Sequence, residues 1–259
     1  SKIYPEMMFA SPVSGTVVAV NRGAKRRILD IVVKADKEIE YVDFGKKDVA
    51  KLSADEIKSS LLESGVWGFI KQRPYDIVAN PTNAPRDIFV TGFDSAPIAA
   101  SYDFIIDGQE KYLQTGLDAL AKLTSGKVYL AISPATKNKG LRDAKNVVVT
   151  EFDGPHPAGN AGVHINHLAP VNKGETVWTL SALDVLFIGR LFNKGVVDLT
   201  RKIALTGSEV KQTGYYSMLI GTELTKLFAG NVAEGSLRYI SGNVLTGTKI
   251  EANGALRAT

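Results

Sequence analysis

Cysteine is absent from this sequence. That excludes disulfides, thiolate zinc sites, cysteine-ligated iron–sulfur clusters and any thiol nucleophile. Histidine is scarce, with only His156, His164 and His167 in 259 residues. Long apolar runs are missing too. The longest, such as residues 185–189, fall far short of the ~18 residues that span a bilayer. Membrane association therefore runs through partners or the surface, and with no intramembrane carboxylate there is no path for a cation. The opening SKIYPEMMFA has no basic stretch leading into an apolar one, so it is unlike a secretory signal. It has no initiator Met, which reads as processing or excision from a longer chain. Concentrated positive charge is also lacking. The net charge is +4 and the cations are scattered, apart from Lys25-Arg26-Arg27, which reads as a solvated turn. No basic face with aromatic platforms marks nucleic-acid binding.

What is present is an ordinary globular composition, 44% hydrophobic and 22% charged, in a chain long enough for two or three domains. Residues 9–36 read as a compact all-β unit: a turn cluster at 10–15, a strand at 16–20, a turn at 21–23 and a strand at 28–34. Pro12-x-x-Gly15 before a short strand resembles the flattened barrel of biotinyl and lipoyl domains. The attachment motif of such carriers is missing, because Lys25 lies in Gly-Ala-Lys-Arg-Arg without the Met or acidic neighbour.

Residues 53–64 form a helix candidate, with Ser53 as N-cap, Asp55 and Glu56 in the first turn, and Ile57, Leu61 and Leu62 on one face. Alternation of strand and helix signals follows: strands at 87–91, 128–132 and 147–152, and helices at 109–124 and 181–193. That order argues for a largely parallel sheet. GPHPAGNAG at 154–162 is too rich in Gly and Pro for regular structure. From about Asp198, strands at 202–206 and 215–220, a short helix at 222–228 and a strand at 237–240 give the order of a small β-grasp domain.

Three stretches then carry a family resemblance: SPVSGTVVAVNRGAKR, DGPHPAGNAGVHINHLAPV, and RKIALTGSEV followed by SLRYISGNVLTGTK. In this order and spacing they resemble the A subunit of the bacterial sodium-translocating NADH:quinone oxidoreductase over essentially the whole chain. The resemblance implies an internal fragment, since family members start earlier and continue past Thr259. It also implies the expected architecture, an α/β class within a multi-domain α+β chain. Residues 1–40 would form a partial biotinyl/lipoyl-like barrel. Residues 41–197 would form a degenerate, flavin-subunit-like Rossmann-type nucleotide-binding domain, and residues 198–259 a β-grasp domain of the soluble-ligand-binding type.

Distant relatives of this family bind a flavin phosphate on a glycine-rich loop after a helix and Ser-Gly. The matching segment here is Ser64-Gly65-Val66-Trp67-Gly68-Phe69-Ile70-Lys71-Gln72-Arg73-Pro74. Trp67, Phe69 and Ile70 stand where bare backbone would have to approach the phosphate, and no other Gly-rich loop fits the dinucleotide pattern. The resemblance therefore implies a polypeptide without a redox cofactor, with NADH, FMN, FAD and iron–sulfur sites in partner subunits. It would sit peripherally on the cytoplasmic face of the bacterial inner membrane. The whole complex would pass electrons to ubiquinone or a similar quinone and export sodium.

The aromatic-basic segment WGFIKQRPY is the candidate quinone contact: Trp67, Phe69, Lys71, Arg73, Pro74 and Tyr75 combine ring faces for stacking with donors for carbonyl oxygens. The resemblance adds weight there; the plainer reading is aromatics packed over a vanished flavin pocket. No catalytic or metal-ligating set is expected. His164 and His167 have the spacing of two ligands on a helical face, yet read as parts of a hydrogen-bonded interdomain loop. Asp94-Ser95 follows a strand end, where open α/β sheets seat ligands, but no Gly-x-Ser-x-Gly elbow supports a hydrolase. Ser241-Gly242-Asn243 reads as a structural turn. The competing functions are a stand-alone flavin-dependent NADH dehydrogenase, a biotin or lipoyl carrier modified at Lys25, and a purely structural adaptor.

Overall fold

The computed structural model describes residues 4–257; residues 1–3, where the stretch read as unlike a secretory signal begins, and residues 258–259 lie outside the described residues. Strands β1 (Gly15–Arg22) and β2 (Ile28–Ala35) pair antiparallel. The turn expected at 21–23 begins only after Arg22, because β1 runs through that residue; Lys25 and Arg26 sit at the tip with φ of 55° and 58°. Both faces of this ribbon carry exposed apolar residues, among them Val18, Leu29 and Ile31.

Helix α1 (Ala54–Glu63) starts on a full capping box, in which Ser53 Oγ accepts from Glu56 N and Glu56 Oε2 accepts from Ser53 N at 2.7 Å. A 3-10 turn, Val66–Phe69, leads into the short strands β3 (Lys71–Arg73) and β4 (Ile77–Val78). Then follow β5 (Ile88–Thr91), α2 (Tyr102–Ile106), α3 (Glu110–Ala121), β6 (Val128–Ile132), α4 (Lys139–Arg142), β7 (Val148–Glu151), α5 (Ala161–Leu168), β8 (Val177–Ser181) and α6 (Ala182–Lys194). The sheet order is β4-β3-β8-β5-β6-β7. The four strands from β8 to β7 are parallel, and β3 pairs antiparallel with both neighbours.

The two faces of this sheet are covered differently. Ile88, Val90, Leu130 and Trp178 point into the main core with Ile57 and Leu61 of α1, Leu113 and Leu117 of α3, and Ile188 and Leu191 of α6. Phe89, Val177 and Tyr129 point the other way, where Ile165 of α5 packs on them. At eight residues, α5 is only about 12 Å long. It covers β5 and leaves the β3 end of that face open.

In the C-terminal part, β9 (Thr200–Leu205) pairs with β10 (Gly214–Leu219), followed by α7 (Thr225–Phe228), and β11 (Tyr239–Ser241) pairs with β12 (Thr248–Ile250). These are two separate two-stranded sheets. The β9–β10 hairpin is fastened to the sheet domain. Buried Arg190 donates to the Asp198 carbonyl at 3.2 Å and to that of Thr200, Phe104 packs on Tyr215 at 4.3 Å, and Ser101 N donates to the Tyr215 hydroxyl. Among the described residues no helix is long and apolar enough to cross a membrane.

Candidate functional site

The open end of the sheet forms a cleft of ≈ 530 Å3. Its floor follows from strand alternation. Lys71 stands opposite Thr179 and Arg73 opposite Val177, so these four share the sheet face on which α5 packs; Lys71, Arg73 and Thr179 line the part that α5 leaves uncovered. Gln72, between the two cations, points to the other side, where it is buried and its Oε1 accepts from Asn80 N at 3.0 Å. The first turn of α5 (Ala161, Gly162, Val163) makes one wall with Asn160. Thr91, Phe93 and Asp94 close the C-terminal end of β5, and Tyr102, Ser181 and Asp184 close that of β8. Asn243, from the loop between β11 and β12, reaches the rim. Binding clefts in open α/β sheets sit at this carboxyl edge.

The six residues read from sequence as a quinone contact divide in two. Phe69, Lys71 and Arg73 line the cleft. Trp67 does not: it is 0% exposed, its indole N–H donates to the Ala79 carbonyl at 2.8 Å, and it meets Trp178 edge to face at 5.2 Å. Pro74 and Tyr75 lie on the outer turn away from the cleft, with Tyr75 78% exposed. Phe69 is held by Phe187, 4.8 Å away. Ile70, like Trp67, belongs to the core.

Sequence reasoning reached Asp94 through the strand-end rule but missed Tyr102, Asp184, Thr179 and the α5 turn. The cleft's polar groups are largely settled among themselves at the β8 end. Ser181 caps α6, accepting from Asp184 N at 3.1 Å and donating to Asp184 Oδ2 at 2.9 Å, and Arg201 of β9 pairs with the Asp184 carboxylate. Burial, reinforced by the charges of Asp184 and Asp94, pushes the Tyr102 phenol well above its ordinary range, so it stays protonated.

His164 and His167 stand on helix α5, which corrects the loop reading of these two residues. Packing of His164 and Ile165 beneath the sheet outweighs the helix-breaking signal of Gly162 and Pro170. His164 is buried between Phe152 and Phe93, at 4.4 and 5.9 Å, and its Nε2 donates to the Ala158 carbonyl at 2.8 Å. His167 instead donates Nδ1–H to the Val163 carbonyl. Among the described residues, no three metal-binding side chains gather. Ser95 does meet a histidine: its Oγ lies 3.1 Å from His156 Nδ1. The same Oγ accepts from Gly159 N at 2.8 Å, which makes the pair a staple between two loops that sets the entry to α5.

Burial holds the His164 pKa below its ordinary 6.5, against the bond to Ala158, with His167 adding a little. An unfolded chain takes up this proton as pH falls through about 6.5 while the folded one refuses it. Stability from this residue is therefore full above pH 6.5 and declines below it. Urea unfolding at pH 7.5 and 5.5 checks this: wild type is expected to lose more of its midpoint on acidification than His164→Leu. An equal loss in both would contradict it.

Three family models match the chain: the NqrA N-terminal barrel-sandwich hybrid domain over residues 1–36, the NqrA second alpha/beta domain over 52–197, and the NQRA C-terminal domain over 202–252. Among curated proteins, the chain is 37% identical over 250 residues to the A subunit of the Na(+)-translocating NADH-quinone reductase of Serratia proteamaculans, covering 95% of this chain and 56% of that protein. It is 36% identical over 247 residues to the corresponding protein of Photorhabdus laumondii, covering 95% and 55%. The chain thus spans about half the length of the curated relatives it matches. In fold, it resembles a chain of an NAD+-reducing NiFe hydrogenase in the air-oxidised state, with a TM-score of 0.50 and 11% identity, over 85% of this chain and 52% of that one.

Proposed function

This chain belongs to the NqrA family, and from that membership we propose that it serves as a peripheral part of a sodium-translocating NADH:quinone oxidoreductase, whose quinone head group it contacts in the cleft over β3. In this reading the chain holds no redox cofactor of its own, and the NADH, FMN, FAD and iron–sulfur steps belong to partner subunits. It docks on the cytoplasmic face of the bacterial inner membrane through those partners, and ubiquinone or a similar quinone is the substrate. The complex, not this chain alone, is the enzyme that couples quinone reduction to sodium export.

The observation that carries the proposal is the conjunction of Phe69, Lys71 and Arg73 in the lining of one cleft. An aromatic ring and two cationic donors in one lining suit a planar ligand whose polar atoms are carbonyl oxygens. The cofactor-free part of the reading is supported by the turn Val66–Phe69. Its Trp67 and Phe69, with Ile70 after it, are packed into the protein where a phosphate cradle would need free backbone amides. The absence of Cys adds that no cysteine-ligated cluster is held in this stretch of chain.

Photo-crosslinking an azido-quinone to the assembled complex tests the proposal. Label in this chain, suppressed by excess unlabelled quinone, is expected. Label confined to other subunits would leave a structural adaptor as the function.

A further inference from the structure

Several N–H donors line the cleft, and among the described residues none of them meets an acceptor within hydrogen-bond geometry. Lys71 Nζ makes no hydrogen bond or ion pair there. Arg73 lines the cleft with its side chain 31% exposed, and that side chain makes no hydrogen bond; its only ion pair is a loose 3.4 Å contact from Nε to the exposed Asp76. The first turn of α5 adds two more donors. Asn160 gives no side-chain cap, and the amides of Ala161 and Gly162 stay unpaired. The acidic groups on the same cleft do not answer these donors: Asp184 is taken by Arg201 and by its own helix start, and Asp94 accepts from Ala96 N at 2.8 Å. A Cβ at Gly162 would meet nothing within 4 Å, so this stretch of wall is open to a ligand.

An unpaired ammonium, a loosely paired guanidinium and two free helix-start amides among the lining residues of one cleft suit a charged oxygen better than a neutral one. Hydrogen bonds to an ionised acceptor are roughly twice as strong as neutral ones, and the amide dipoles of α5 add to the two cations. We propose that these donors favour an anionic oxygen over a neutral one, so that quinones bearing an ionised ring hydroxyl bind the cleft more tightly than neutral quinones such as ubiquinone. This deepens the quinone reading of the cleft and rests on it.

Calorimetric titration of the 259-residue chain with 2-hydroxy-1,4-naphthoquinone, ionised at pH 7, and with neutral 2-methyl-1,4-naphthoquinone tests the inference. The anion is expected to bind about tenfold tighter at low salt, with the gap narrowing as salt screens the cations. Lys71→Gln and Gly162→Asp should each shrink that gap at least about threefold, with a smaller effect on the neutral compound. Gly162→Asp is informative because its carboxylate would occupy the free amides of its own helix start. Gly162 does not have the left-handed backbone that disfavours a side chain, so the variant is expected to keep its circular dichroism and melting temperature. Equal affinity for the two compounds, or a gap that survives both substitutions, overturns the inference alone. Binding of neither compound overturns the quinone reading together with it.

Discussion

Trp67→Ala is expected to destabilise the sheet domain by about 3–5 kcal/mol, the usual cost of deleting a fully buried large aromatic. The indole is 0% exposed and stands edge to face against Trp178. Truncation removes that contact, opens a cavity beneath β8 and leaves the Ala79 carbonyl without its 2.8 Å donor. Trp67→Phe separates these contributions: most of the volume returns, and the remaining loss should be about 1 kcal/mol for the lost hydrogen bond. Urea unfolding reads both, as a lower midpoint at unchanged slope. A loss below about 1 kcal/mol for Trp67→Ala would mean that the indole is not a core residue, and would return it to the ligand contacts.

Gly189→Val carries the second large effect. Helices α3 and α6 approach so closely that a Cβ at Gly189 would lie 1.7 Å from the Tyr112 carbonyl oxygen, and one at Gly116 would lie 2.4 Å from the Val185 carbonyl oxygen. Each glycine faces the backbone of the other helix, and backbone cannot turn aside as a side chain can. The helices must therefore separate along a contact that also packs Leu113, Leu117 and Ile188. A cost of about 3 kcal/mol is expected, at the upper end for overpacking. Calorimetry should show a melting temperature lower by roughly 6–12 °C. A shift of a degree or less would show that the two helices can move apart freely. Because Asp184 begins the same helix, the Gly189→Val protein is also expected to have a disturbed cleft.

The elements that sequence reasoning recovers are those whose own residues specify them. Helix α1 is legible from Ser53, Glu56 and its apolar stripe, and β6 from five consecutive strand-forming residues between a turn and a polar stretch. Strand β8 is not legible, although it is central to the sheet. It ends at Ser181 and α6 starts at Ala182, so Ser181 is at once the last strand residue and the helix cap. With no loop between them, the apolar positions of VWTLS merge into those of the helix. The segment WGFIKQRPY reads as a single site, but its alternation between core and cleft depends on pairing with β8. Pairing puts Gln72 in the interior and Lys71 and Arg73 on the open face, while Trp67 is buried from the preceding 3-10 turn. Tyr102, Asp184 and the α5 turn cannot be joined to them from sequence. They come from three separate segments that only the strand order brings together.

The central claim is that the face of β3 left bare by α5 receives a quinone. Its most direct test is a peptide map of the photolabelled complex, resolved to the modified residue. The account predicts label within residues 69–73, with secondary label on the facing segments 91–94 or 160–163. Label lying only on the exposed β1–β2 ribbon, or only on other polypeptides of the complex, would contradict it.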